Sequence, residues 1–212
     1  MRFDDRRAAG RQLAWRLESL RDRDPVVLGL PRGGVPVAYE VAGALDAPLD
    51  VLVVRKLGVP RSPELGFGAL GENGVRVLND DVLEETGVGL AEQAVVEAAE
   101  RTELERRVSR CRHGRDPVAL TGRTVVIVDD GLATGATAEA ACRVVRGRGA
   151  ARIVLAVPVG TTAVVARLRR LADEVVRRQA LPFLGTVGAW CHDRVTPPAT
   201  RHFAPPVRAV ST

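Results

Sequence analysis

Aromatic side chains are scarce in this chain: two Trp, one Tyr and four Phe, 3% of 212 residues. Stacking platforms for bases are therefore few, which weighs against nucleic acid as a partner. Lysine is scarcer still. Of the 31 Lys and Arg residues, only Lys56 is a lysine. The net charge of +5 rests on dispersed arginines and reads as a solvated basic surface, not a binding stripe. Such a surface also suits a substrate that carries several phosphate charges. Long hydrophobic runs are missing, and none approaches the roughly 18 residues of a membrane span. Met1-Arg2-Phe3-Asp4-Asp5 carries no signal-peptide pattern. Cys111, Cys142 and Cys191 are an odd number with no C-x-x-C, which argues against a disulfide framework and for a reducing, cytoplasmic setting. Cys111-Arg112-His113 and Cys191-His192 match no standard zinc spacing. No Ser/His/Asp grouping stands out. Neither G-x-x-x-x-G-K-[ST] nor a helix-opening G-x-G-x-x-G occurs.

What is present centres on residues 124–137. Thr124 is followed by Val125, Val126, Ile127 and Val128, a branched apolar run suited to a strand buried on both faces of a parallel sheet. Asp129 and Asp130 stand where that strand should end. Gly131, Leu132, Ala133, Thr134, Gly135, Ala136 and Thr137 form a small-residue loop, and Ala138 to Val145 reads as a helix. A loop entering a helix presents free N–H groups and favours an anion. Gly135 permits close approach, and Thr134 and Thr137 add hydroxyls, so the loop suits a phosphate monoester. The carboxylates would repel that phosphate. They suit sugar hydroxyls or a bridging magnesium ion.

A second cradle follows the expected strand Val26 to Leu30: Pro31-Arg32-Gly33-Gly34, with Pro36 suited to the first turn of a helix reaching Leu45. Leu49 to Val54 is the next expected strand. It ends at Arg55-Lys56, where the lone lysine reads as a point charge for phosphate. Residues 57–74 are rich in Gly and Pro and read as a long loop containing Glu64. Asn73-Gly74 is a hairpin turn signal between arms Phe67–Leu70 and Val75–Leu78. Helices are expected over residues 3–21, from Asn79 through Glu85, from Leu90 to about Cys111, and from a Thr161 cap to about Leu171. Further strands are expected at Ile153–Pro158 and Glu174–Arg178. Past Leu181 the pattern is irregular, and Phe183 and Trp190 are candidates to stack on a flat ligand.

Asp129 to Thr137 resembles the phosphoribosyl-pyrophosphate (PRPP) signature of the type I phosphoribosyltransferases. Leu30-Pro31-Arg32-Gly33-Gly34 resembles that family's pyrophosphate loop, in which a peptide bond is often cis. Residues 57–74 resemble its mobile lid by position. The resemblance covers roughly residues 26–180. It implies one doubly wound α/β domain over 1–212 with a mainly parallel sheet, a small hood from about 1–22 and 181–195, and a tail over 196–212. It implies Mg2+ and PRPP, with Asp129 and Asp130 at the ribose hydroxyls and the metal, and Gly131 to Thr137 at the 5′-phosphate. Arg32, Gly33, Gly34, Arg55 and Lys56 would serve the pyrophosphate, with Glu64 at the ribose or metal. Arg32, Lys56, Asp129 and Asp130 would carry catalysis of ribose 5-phosphate transfer to a nitrogenous acceptor. The acceptor would lie in the hood, near Phe183 or Trp190. A homodimer is expected. A PRPP-binding regulator without turnover, or a nucleotide hydrolase or phosphorylase, are the alternatives. In hypoxanthine–guanine members an aspartate precedes the Thr-Gly of the signature. Here Ala133 stands there, with no proton chemistry to offer.

Overall fold

The structure, a computed structural model, describes residues 3–112 and 114–181. The expected hood segment beyond Leu181, with Phe183 and Trp190, lies outside them. So does the tail.

Five strands form a parallel sheet: β1 (Val26–Gly29), β2 (Leu49–Val51), β6 (Thr124–Val128), β7 (Arg152–Thr161) and β8 (Glu174–Leu181). Their spatial order is β2-β1-β6-β7-β8. Branched side chains at consecutive positions let one strand feed two cores. Val125 and Ile127 face one side, where they pack with Ala138, Ala141 and Val145 of α5 (Ala136–Gly147) and Val165 and Leu168 of α6 (Thr162–Leu168). Val126 and Val128 face the other side, with Val37 and Val41 of α2 (Gly34–Leu45) and Leu13 of α1 (Arg6–Ala14). Helices on both faces make the sheet doubly wound, as expected.

The chain runs from β1 to β2 in one direction and returns to place β6 on the other side of β1. The strand order therefore reverses between β1 and β6. In open α/β sheets the crevice at such a reversal, at the carboxyl ends of the strands, is where ligands bind.

Three expectations change. Leu49–Val54 is not one strand. β2 stops at Val51, and β3 (Val54–Val59) begins a separate antiparallel sheet with β4 (Ser62–Gly71) and β5 (Arg76–Leu78). The bend is held by charge. The Val53 N–H donates to Glu72 at 3.2 Å, and Arg112 donates to Glu72, to Asp50 at 2.9 Å and to the Val51 carbonyl at 2.8 Å. Residues 57–74 are consequently a hairpin rather than a loop, with Phe67, Ala69 and Leu70 fully buried. The turn is where it was expected, with Asn73 and Gly74 both at positive φ. Finally, the 3–21 helix is shorter. Asp5 caps α1 by accepting from the Ala8 N–H at 2.6 Å, and a 3-10 turn over Glu18–Arg23 follows. Leu13, Leu17 and Leu20 are buried as their spacing requires, but Trp15 is exposed.

The long helix α4 (Leu90–Arg112) pairs several of its Glu and Arg residues at helical spacing on a solvated face, as Arg107 is with Glu103 at 2.7 Å, whereas Arg112 at its end is buried. Thr161 caps α6, accepting from the Val164 N–H at 3.3 Å.

Candidate active site

The two cradles meet at the reversal point. After β1 the chain makes a tight turn in which the Pro31–Arg32 peptide is cis, and α2 opens at Gly34. The Leu30 N–H donates to the Val128 carbonyl at 2.9 Å, so this turn is fastened to the end of β6. It is fastened closely. A Cβ on Gly33 would lie 2.0 Å from Asp130 Oδ2, and one on Gly34 would lie 2.8 Å from the Asp129 Cα. Sequence pairs these glycines with a turn. The structure pairs them with the carboxylates, 95 or more positions away in the chain.

Asp129 and Asp130 follow β6. The Asp130 N–H donates to Asp129 Oδ1 at 2.9 Å. Burial first, and then the adjacent Asp130 charge, push Asp129 above the usual carboxylate range, against the opposing pull of that N–H and of Arg6. Arg6 was not anticipated. Its Nε donates to Asp130 Oδ2 at 2.9 Å, and its Nη2 lies 2.8 Å from the same oxygen. The nearest clue in the sequence was that residues 1–22 belong to the expected hood. Phe3 and Ala9, either side of Arg6, are buried with Val159 and Leu181, and Ala133 packs against that cluster.

Beyond the acidic pair, Gly131 and Leu132 are buried, and the Leu132 N–H donates to the Val159 carbonyl at 3.0 Å. Thr134 and Thr137 are exposed. Gly135 has φ of 76°, a conformation that favours glycine, and α5 starts at the next residue, two positions earlier than expected. Its first amides stand at the loop as an anion site requires. Arg167 of α6 borders the loop as a second unanticipated residue. Its Nη2 donates to the Thr134 carbonyl at 2.5 Å, and its Nη1 is 3.3 Å from Glu139. Arg167 thereby takes up the Thr134 carbonyl, and the Ala136 N–H donates to the Thr134 hydroxyl at 3.4 Å. A cleft of about 500 Å3 opens here, lined by Glu64, Thr134, Ala136, Ala163, Val164 and Arg167. Glu64 of the hairpin is thus brought to the 131–137 loop across the fold.

The remaining predicted residues are placed as follows. Arg32 is exposed in the turn. Arg55 pairs with Glu100 of α4 at 2.5 Å. Lys56 lies within β3, not at a strand end, and its Nζ donates to the carbonyls of Pro63 and Glu64 at 2.6 and 3.1 Å.

The phosphoribosyl transferase domain model matches residues 5–182. The chain belongs to the type I phosphoribosyltransferase family. A Mycobacterium tuberculosis protein named "Putative phosphoribosyl transferase" (strain H37Rv) is 64% identical over 174 residues, covering 82% of this chain and 39% of that protein. The chain thus spans about two fifths of the curated relatives it matches. The crystal structure of TT1426 from Thermus thermophilus superposes with a TM-score of 0.86 at 46% identity, over 92% of this chain and 93% of that one. AQ2163 from Aquifex aeolicus, at 14% identity and a TM-score of 0.51 over 86% of this chain and 78% of that one, shares the fold. Within this phosphoribosyltransferase fold, no described helix is long and apolar enough to cross a membrane.

Proposed function

We propose that this chain is a transferase that moves ribose 5-phosphate from Mg-PRPP to a nitrogenous acceptor and releases pyrophosphate. The observation that carries this reading is the contact of Gly33 and Gly34 with Asp129 and Asp130 at the sheet reversal. It supports the reading because residues 31–34, 129–130 and 131–137, which the reading assigns to pyrophosphate, ribose and 5′-phosphate, share one crevice.

In this reading the loop from Gly131 to Thr137 holds the 5′-phosphate through its amides and the Thr134 and Thr137 hydroxyls. Asp129 and Asp130 accept from the ribose 2′- and 3′-hydroxyls. Arg32, Lys56 and the turn at Gly33-Gly34 meet the pyrophosphate, with Arg55 and Glu64 nearby; the Gly34 N–H itself stays with the Leu30 carbonyl at 3.0 Å. The C1′–O bond breaks with its electron pair going to pyrophosphate, and the acceptor's nitrogen lone pair forms the C1′–N bond. Cations fixed where that charge develops favour the transition state over the ground state. No covalent nucleophile is required. Magnesium, when bound, would shield the leaving pyrophosphate. The adjacent carboxylates of Asp129 and Asp130 would suit the ion as oxygen donors, with substrate and water completing its ligands. A homodimer and a cytoplasmic location belong to the same reading.

Ala133 bears on the acceptor. It packs against Phe3, Ala9, Val159 and Leu181, so this position offers an apolar wall where a proton acceptor would be needed. We assign an acceptor that needs no base from the signature loop. Thermal unfolding with Mg-PRPP tests the reading first, and saturation at 100 times the dissociation constant should add about 2.7 kcal/mol. A panel of nitrogen bases, run with and without pyrophosphate, then separates transfer from hydrolysis or phosphorolysis. Hypoxanthine and guanine are expected to be poor acceptors. The absence of any stabilisation by millimolar Mg-PRPP would remove the proposal.

A further inference from the structure

Asp130 already has a partner in this fold. Both nitrogens of the Arg6 fork that reach it converge on one atom, Oδ2, at 2.9 and 2.8 Å. One is a hydrogen bond from Nε and the other an ion-pair contact, so the guanidinium lies directly on that oxygen. The contact is sheltered, with side-chain exposures of 20% and 14%. It is also built in. The Asp5 cap fixes the start of α1, and the burial of Phe3 and Ala9 anchors the helix on the ends of β7 and β8. Among the described residues, Arg6 is the cation within ion-pair distance of Asp130.

We propose that Arg6 is a resident competitor for Asp130: its guanidinium and a divalent cation or ribose hydroxyl claim the same oxygen and exclude one another. The inference rests on the reading of Asp129 and Asp130 as ribose and metal carboxylates. Two adjacent carboxylates repel, and Arg6 offsets that repulsion. An incoming divalent ion must therefore break the Arg6 pair before it gains the full charge of the site. Arg6 in this way sets the metal affinity of the pair and makes the position of α1 respond to occupancy of the crevice. It also makes an N-terminal residue part of the ribose site, which the signature alone does not include.

Calorimetric titration with Mn2+ alone tests this in wild type, Arg6→Gln, Arg6→Lys, Asp130→Asn and the Arg6→Gln/Asp130→Asn double variant. Arg6→Gln should bind Mn2+ about tenfold more tightly than wild type, the scale of one hydrogen bond to a charged group. Arg6→Lys should fall between them, because a point charge cannot make the forked contact. The double variant should bind no more tightly than Asp130→Asn alone, since the two residues act through one contact. Mn2+ binding by Arg6→Gln no tighter than wild type, including no binding by either, overturns the inference. So does an equal gain from Arg6→Gln in the Asp130→Asn background. Mg-PRPP is titrated in parallel. A Mn2+ gain in Arg6→Gln without PRPP binding by any of the proteins keeps the role of Arg6 and removes the PRPP reading. Tight PRPP binding with no Mn2+ gain does the reverse.

Discussion

Gly33 and Gly135 are both glycines of a binding loop, yet different forces require them. Gly135 sits at φ of 76°, where a side chain would strain the backbone. Gly33 has φ of −68°, open to any residue. There the constraint is Asp130, whose Oδ2 would stand 2.0 Å from a Cβ. Gly33→Ala must therefore push the acidic pair or the turn aside. Overpacking of this kind costs about 1–3 kcal/mol, and the displaced carboxylate is the one assigned to the ribose. The expected outcome is a modest loss of thermal stability with at least a tenfold loss of Mg-PRPP affinity by calorimetry. Unchanged affinity would show that Asp130 does not need its present position. The acidic pair and the two glycine turns were legible in sequence as strand ends entering helices, which is how the structure has them. Arg6 and Arg167 were not, because thirty interchangeable-looking arginines give no signal until packing selects two of them.

The hairpin of β3 and β4 shows how glycine can mislead at the scale of an element. Gly58, Gly66, Gly68 and Gly71 interrupt the alternation that marks strands, so the segment reads as a lid. In the structure the glycines are where neighbours crowd the backbone. A Cβ at Gly68 would lie 2.6 Å from the Val77 carbonyl oxygen, and one at Gly71 would lie 2.4 Å from Val144 of α5. The element is thus a strand pair narrowed to fit under α5 and β5. Its far end differs, since residues 62–65 are exposed while 67–71 are buried. Hydrogen exchange should divide the segment at that point. The amides of Gly68, Ala69 and Leu70 should be protected on the scale of Val125–Val128, and those of Arg61, Ser62 and Glu64 should exchange orders of magnitude faster. Uniformly fast exchange over 57–74 would restore the lid as expected from sequence. Any closing motion over the crevice is then confined to the hairpin tip, which carries Glu64 and the carbonyls that Lys56 holds.

Across the whole molecule, one buried charge group joins the two sheets. Arg112, at the end of α4, binds Asp50 of β2 and Glu72 just past β4, and Asp50 also accepts from the Val118 N–H at 2.9 Å. Arg112 and Glu72 are among the few buried charged residues. Removing the cation alone leaves two carboxylates in a site shaped for three charges. Arg112→Met is expected to cost about 3–5 kcal/mol of unfolding free energy, measured by denaturant titration. A variant that also carries Asp50→Asn and Glu72→Gln should recover part of that loss. If Arg112→Met unfolds as wild type does, the network does not hold the sheets together. The consequence for function is geometric. The joint fixes the hairpin relative to the parallel sheet, and so fixes Lys56 and Glu64 relative to the crevice.

By itself the sequence determined most of the elements of the parallel sheet and the family they belong to. The Val125–Val128 run dictates a two-sided strand, because only a central parallel strand buries consecutive branched residues. Asp129 to Thr137 dictates an acidic strand end followed by a glycine turn into a helix, because Gly135 alone suits the φ of 76° that starts α5. Those are local consequences of side-chain type and spacing. The tertiary structure decided what depends on contacts distant in sequence: that the order reverses between β1 and β6, that Gly33 is seated on Asp130, that the glycine-rich segment pairs as strands, and that Arg6 reaches the acidic pair across 124 positions. Periodicity reports which face of an element is buried, but it carries no information on which partner buries it.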